Sequence, residues 1–347
     1  MPDLITSVVR VPWHSTHSGY DQLVRYLPGA RTLRPPTTPA GRATATGLHA
    51  LLRHRCPLPF YPAEHCATDL RVLASRRPAH VLYGDEQFWF SRHRTAPTAV
   101  TYHQPPARLA RLLPAATWRA LAPRADRVVV LDPHQREFFA GLLPAERVHL
   151  VPHGIDTVAF TPDPAGQESG RGARRPSVLT VGWWLRDWDV LDAVHERLFR
   201  RHGTGVDLTV VTRDSTSRPW HPAVRVVEAV SEPELIALYR RATVVLLPLT
   251  DATANNALLE ALACGTPVVA TDAGGTTYYT GTTDAAVLVP PGDPAAATEA
   301  VQTLLEEHGT AAHARRRTAA RARAEDFAGP LVADQLRAVH DKLEAAA

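Results

Sequence analysis

Residues 243–275 read TVVLLPLTDATANNALLEALACGTPVVATDAGG, and this stretch decides the fold. A β-branched apolar run ends at Pro248, a polar loop follows to Asn255, and a helical pattern starts near Asn256. The turn Cys264-Gly265-Thr266-Pro267 stops that helix and launches a second apolar run, VVAT. Short apolar runs without polar alternation mark strands buried on both faces, as in parallel sheets. Strand, helix and strand in succession make the repeating unit of a doubly wound α/β layer. Asn256 reads as the N-cap, which leaves the N–H groups of Ala257, Leu258 and Leu259 open at the helix start. Such a start suits an anion, a diphosphate included. Glu260 reads as a carboxylate of the first turn, favoured there by the helix dipole and able to accept from the paired hydroxyls of a sugar.

The same signature recurs along the chain. LITSVVRV, AHVLYG, TAVTYH and RVVVL come early, and SVLTVGW, VDLTVVT and VRVVEA lead into the quoted stretch. Helical patterns alternate with them: YDQLVRYL, PHQREFFAGLL, VLDAVHERLFRRH and EPELIALYRRA. Residues 161–176, TPDPAGQESGRGARRP, interrupt the rhythm with Pro, Gly and Arg and read as a linker. The expected organisation is two doubly wound Rossmann-like α/β domains, 1–160 and 177–325, facing a cleft. Residues 326–347 form a terminal helix with Leu331, Val332, Leu336, Val339 and Leu343 on one face, which must dock somewhere. GxGxxG, GxxxxGK[ST], HExxH and GxSxG do not occur, which disfavours dinucleotide oxidoreductases, P-loop NTPases, metalloproteases and α/β-hydrolases.

The bulk numbers agree. A chain of 347 residues is too long for one ordinary core and fits two domains. It is 45% hydrophobic and 21% charged, the balance of a soluble globular protein. No apolar run reaches the roughly 18–20 residues of a membrane helix. The start, MPDLITSVVRVPW, has neither the basic end nor the apolar stretch of a signal peptide, so a cytoplasmic protein without a span is expected. Cys56, Cys66 and Cys264 are too few and too scattered for a disulfide framework. His54, Cys56, His65 and Cys66 crowd together, but in no compact zinc-ligand spacing, and no metal is expected. Lys342 is the only lysine among 38 Lys and Arg residues, so a phosphate-binding cation inside the fold must be Arg or His. The net charge of +3 is mild and the arginines are scattered, which argues against a nucleic-acid partner.

NALLEALACGTPVVATDAGG resembles the signature of retaining GT-B glycosyltransferases of family four, in which a Glu-x7-Glu motif precedes a small-Cys-Gly-Thr-Pro turn. VHLVPHGIDTVAFTPD (148–163), ADRVVVLDPHQREFF (125–139), SVLTVGWWLRDWDVL (177–191) and SEPELIALYRRATVVLLP (231–248) resemble further segments of that family, in order. The likeness covers roughly 100–347 and is poorest before residue 80. It implies a GT-B fold with the terminal helix crossing back to the first domain. It also implies transfer of a sugar from a nucleoside diphosphate sugar to a hydroxyl or amine of a small acceptor, with retention and without metal or cofactor. A monomer or homodimer is expected.

Carried over position by position, Glu260 is the second glutamate, which holds the ribose hydroxyls. The first falls on Ala252, where the family reads the donor sugar; Asp251 is the nearest substitute. The diphosphate-binding Arg position holds Trp183, and Arg186 takes the Lys position, where a planar guanidinium grips phosphate bidentately. Arg213, after VDLTVVT, is a second phosphate candidate. Val230 marks the segment that recognises the base through its backbone. His103, ending TAVTYH, matches a histidine that touches the donor sugar, which makes His103, Arg186 and Glu260 the catalytic candidates. Gly19 corresponds to the glycine turn beside the donor, and donor binding also falls to Asn256, Ala257, Leu258 and Leu259. His14, His17, Asp85 and Glu86 are the acceptor candidates. The losses at 252 and 183 leave alternatives: a sugar-nucleotide epimerase, a pseudo-glycosyltransferase, or an inactive accessory protein of this fold. The donor sugar, its base and the acceptor are not written in the sequence.

Overall fold

The computed structural model describes residues 4–9, 16–27, 29–163, 175–216 and 218–345. Contacts divide it into two compact units: Met1–His14, Gly19–Gly154 and Gly329–Ala347 form the first, and Ser15–Ser18 with Ile155–Ala328 form the second. Among the described residues twelve strands build two six-stranded sheets, and every pairing is parallel.

In the first unit the strands are β1 (Ile5–Ser7), β2 (Arg31–Leu33), β3 (Ala79–Val81), β4 (Thr98–Thr101), β5 (Arg127–Val130) and β6 (Val148–Leu150). They lie in the order β2-β1-β3-β4-β5-β6. In the second unit they are β7 (Ser177–Val181), β8 (Asp207–Val211), β9 (Val224–Val227), β10 (Val244–Leu247), β11 (Val268–Thr271) and β12 (Ala286–Val289). Their order, β12-β11-β10-β7-β8-β9, is the doubly wound arrangement that reverses direction between its first and fourth strands. All nine apolar runs become strands. The three additional ones, β2, β6 and β12, lie at sheet edges. They are partly exposed and short, and so lack the continuous apolar signature of doubly covered strands. YDQLVRYL is a 3-10 helix, Tyr20–Tyr26.

Local chemistry sets the helix ends. Asp187 caps helix Trp188–His202 through the Val190 N–H, and Gly203, at φ 53, ends it. Ser231 and Glu234 make a reciprocal capping box at the start of helix Glu232–Arg241.

The unit boundaries differ from the sequence expectation. Ile155 and Phe160 are buried in the second unit's core, and the Ile155 N–H donates to the Phe327 carbonyl at 2.9 Å. The central segment of the first unit therefore ends at Gly154, not at 160. Of the 161–176 linker, 164–174 lie outside the described residues. Helix Gly329–Glu344 belongs to the first unit and buries Val332, Leu336, Val339 and Leu343, whereas Leu331 is exposed. Its His340 Nε2 lies 2.9 Å from His80 Nδ1 on β3, and His80 Nε2 lies 2.8 Å from the Thr101 hydroxyl.

Candidate functional site

In an open parallel sheet, ligands gather beyond the carboxyl ends of the strands where the order reverses. In the second unit that point lies between β7 and β10. The loops leaving these strands are tied together: Asp187 N–H donates to Pro248 O at 2.9 Å and Thr250 N–H to Leu185 O at 3.0 Å. Leu185 adopts φ 56, a strained setting for a branched side chain, and this tie holds it there.

Arg186 folds back over the end of β7. Its Nε donates to Val181 O at 3.2 Å and its Nη1 to Trp184 O at 3.2 Å, and Nη2 also donates to Val181 O. Gly182, at φ +93, takes a backbone conformation that favours glycine, and a Cβ there would lie 2.9 Å from Nη2. Arg186 is 7% exposed, and no carboxylate pairs with it among the described residues. Burial lowers its pKa to about 10, and it stays cationic at neutral pH. A buried cation held only by carbonyls lacks its countercharge, and a phosphate supplies one.

The helix expected near 256 spans Asn256–Ala263, but its cap is Asn255, whose side chain accepts from the Leu258 N–H at 3.2 Å. Consecutive asparagines made either residue an acceptable cap; the extended backbone of Asn255 decides it. The shift by one residue means that the Leu258 and Leu259 N–H groups, expected to be open, are spent on the Asn255 side chain and carbonyl. Glu260 is consequently the fifth helical residue, not part of an exposed first turn, and is 5% exposed. Its Oε2 accepts from Tyr239 Oη at 2.8 Å, and the Ser18 side chain also hydrogen-bonds the carboxylate. Burial pushes its pKa up to about 7, against the lowering effect of those two donors.

The loop before this helix holds Ala252, where the resemblance placed the first glutamate of the motif. Ala252 is buried and its carbonyl accepts from the Gly275 N–H at 2.9 Å. A Cβ on Gly274, at φ +51, would strike that carbonyl at 1.9 Å. Asp251 Oδ1 accepts from the Ala252 N–H at 2.8 Å, so this oxygen serves the loop itself. The Thr253 hydroxyl is buried and has no hydrogen-bond partner among the described residues. Arg213 is exposed after β8, its guanidinium 5.9 Å from the Trp183 ring centroid. Val230 packs on the core just before the capping box of helix Glu232–Arg241.

In the first unit the order reverses between β1 and β3. His103 follows β4, stacks on Tyr83 at 4.5 Å and meets the Tyr20 ring edge-on at 4.9 Å. Its Nε2 lies 2.6 Å from Leu82 O, a pairing that requires the Nε2–H form. Asp85 was expected to read an acceptor. Its carboxylate instead turns inward: Oδ2 accepts the His103 N–H at 2.6 Å, and burial pushes it up to about 7. Glu86 is partly open at 24% exposure and is pushed up to about 8 by burial, then by Asp85. Gly19 takes φ 97 ahead of the Tyr20–Tyr26 helix. His17, expected among the acceptor residues of the first domain, falls in the second unit, because its N–H and Nδ1 meet the Glu232 carboxylate at 2.7 and 2.5 Å. His14 lies outside the described residues.

Sequence reasoning missed Tyr239, Tyr20 and Tyr83. Tyr239 lies 21 positions before Glu260 on another helix, and no spacing rule links them. Among the described residues no group of three or more His, Cys, Asp or Glu side chains is placed to hold a metal ion.

Comparison with known proteins fits this geometry. Residues 176–307 match the family model described as glycosyl transferases group 1. A 2-deoxystreptamine N-acetyl-D-glucosaminyltransferase of Streptomyces fradiae is 27% identical over 349 residues, covering 84% of this chain and 80% of the relative. A D-inositol 3-phosphate glycosyltransferase of Acidothermus cellulolyticus is 30% identical over 227 residues, covering 55% of this chain and 50% of the relative. The chain thus spans about half the length of that second relative. Among solved structures, the sucrose-phosphate synthase of Thermosynechococcus elongatus superposes with a TM-score of 0.72 at 18% identity, over 99% of this chain and 100% of its own. The chain has the GT-B fold, and its residues 176–307 are similar to glycosyl transferases group 1.

Proposed function

We propose that this protein transfers a sugar from a nucleoside diphosphate sugar to a hydroxyl or amine of a small acceptor, with retention of anomeric configuration. The observation that carries this reading is Arg186, a buried guanidinium without a carboxylate partner, in a loop bonded to the one that leads into the Glu260 helix. The diphosphate would rest on Arg186, with Ala257 at the helix start beside it, and the ribose diol on Glu260. Negative charge grows on the departing diphosphate in an oxocarbenium-like transition state, so a fixed guanidinium stabilises that state over the ground state. The leaving phosphate itself takes the acceptor proton. Arg186 supplies the countercharge that a metal gives in other transferases, so full turnover is expected in excess EDTA.

Two relatives are named for cyclitol acceptors, one amine-bearing and one phosphorylated. The test is mass spectrometry on UDP-, GDP- and dTDP-sugars incubated with aminocyclitol and inositol acceptors. A glycosylated acceptor with an α-anomeric product from an α-linked donor supports the reading. An inverted product refutes retention, and an epimerised donor without transfer refutes the transferase reading.

A further inference from the structure

The buried contact between Tyr239 and Glu260 joins two helices of the second unit. Tyr239 is fully buried near the end of helix Glu232–Arg241, and its Oη donates to Glu260 Oε2 at 2.8 Å. Its backbone is fixed as well, since the Thr266 hydroxyl donates to Tyr239 O at 2.7 Å. The Arg186 cation also acts electrostatically on the phenol. One side chain therefore touches the proposed ribose carboxylate and senses the proposed phosphate clamp.

We propose that Tyr239 is a positioning residue for nucleotide recognition: its hydroxyl fixes the orientation of the Glu260 carboxylate and keeps it an acceptor for the ribose diol. This rests on the reading of Glu260 as the ribose ligand. A carboxylate has about four lone-pair sites, and one spent on Tyr239 leaves the others aimed in fixed directions. Burial favours the protonated acid, which could not accept from both ribose hydroxyls. A phenol raised well above its ordinary pKa by burial and by Glu260 never ionises, so it is always a donor at this contact.

The other groups facing Glu260 do not substitute for it. Glu232, from the start of the same helix as Tyr239, has the same charge and favours protonation. Ser18 supplies a second hydroxyl. The Cys264 thiol, at the end of the Glu260 helix, is pushed up to about 12 and stays neutral; Arg240, Arg317 and Arg321 act on that sulfur.

The experiment is calorimetric titration with UDP and GDP between pH 6.5 and 9 on wild type, Tyr239→Phe and Glu260→Gln. In Tyr239→Phe the pH midpoint of nucleotide affinity should rise by about one unit, the worth of one charge-assisted hydrogen bond, with affinity recovered at pH 9. Donor KM should rise with kcat nearly unchanged. A lowered Tm with an unshifted pH profile would make Tyr239 a packing residue only and overturn the proposal. Should Tyr239→Phe fold poorly, 3-fluorotyrosine placed at 239 strengthens the donor and should move the midpoint down; no movement is again a refutation. If Glu260→Gln binds like wild type, the parent reading fails; if only Tyr239→Phe does, this inference alone fails.

Discussion

Replacing Glu260 by glutamine separates what this carboxylate costs the fold from what it contributes to binding. Its pKa is pushed from 4.5 to about 7 in the folded protein by burial. A group whose folded pKa is raised contributes stability that is complete below pH 4.5 and lost as pH climbs through 7. At 1.36 kcal/mol per tenfold change in proton affinity, the loss is about 3 kcal/mol by pH 8. Glutamine does not ionise, so Glu260→Gln should gain stability over wild type between pH 5 and pH 8 by that order, several degrees in Tm. The same substitution removes a charged acceptor worth about 1.5–3 kcal/mol, weakening nucleotide binding by roughly 10–150-fold. The assays are urea unfolding across pH 5–8 without ligand, and calorimetric titration with nucleotide at pH 8. A stability difference that does not change with pH would refute the burial argument. Unchanged affinity would refute the ribose assignment.

Gly274→Ala places a Cβ where Ala252 O lies 1.9 Å away, at a φ of +51 that alanine tolerates poorly. It should cost more than about 1 kcal/mol in denaturant unfolding and weaken donor-sugar binding by displacing the 251–255 loop. Asp85→Ala removes the carboxylate that accepts the His103 N–H, leaving a buried donor unpaired; a loss of about 1–3 kcal/mol is expected in the same assay. Asp251→Asn keeps an acceptor for the Ala252 N–H, so donor KM should stay within about threefold, whereas a large rise would show that the carboxylate reads the sugar. Turnover should be unaffected by excess EDTA, and a strict Mn²⁺ requirement would contradict the role given to Arg186.

Much of the architecture was legible because doubly covered strands carry an unmistakable pattern. The runs at 244–247 and 268–271 are wholly buried, and their composition reports it. Edge strands such as Arg31–Leu33 are half-solvated and follow no such pattern. Glu260 stood out through its motif, yet its burial did not, because the Tyr239 and Ser18 contacts come from distant parts of the chain. The same holds for Asp85: two adjacent acids look like a binding pair in sequence, and only the fold shows Asp85 turned onto the His103 backbone. Arg186 was legible as a candidate cation, but its carbonyl cradle depends on the backbone path through Gly182 and Leu185.

The most direct test of the central claim is calorimetric titration of UDP, GDP and dTDP into the wild-type protein and into Arg186→Ala. One diphosphate should bind wild type at one site per chain, with affinity falling at least tenfold in Arg186→Ala while the parent nucleoside binds both proteins alike. Absence of binding by all three, or equal affinity in both proteins, would contradict the account.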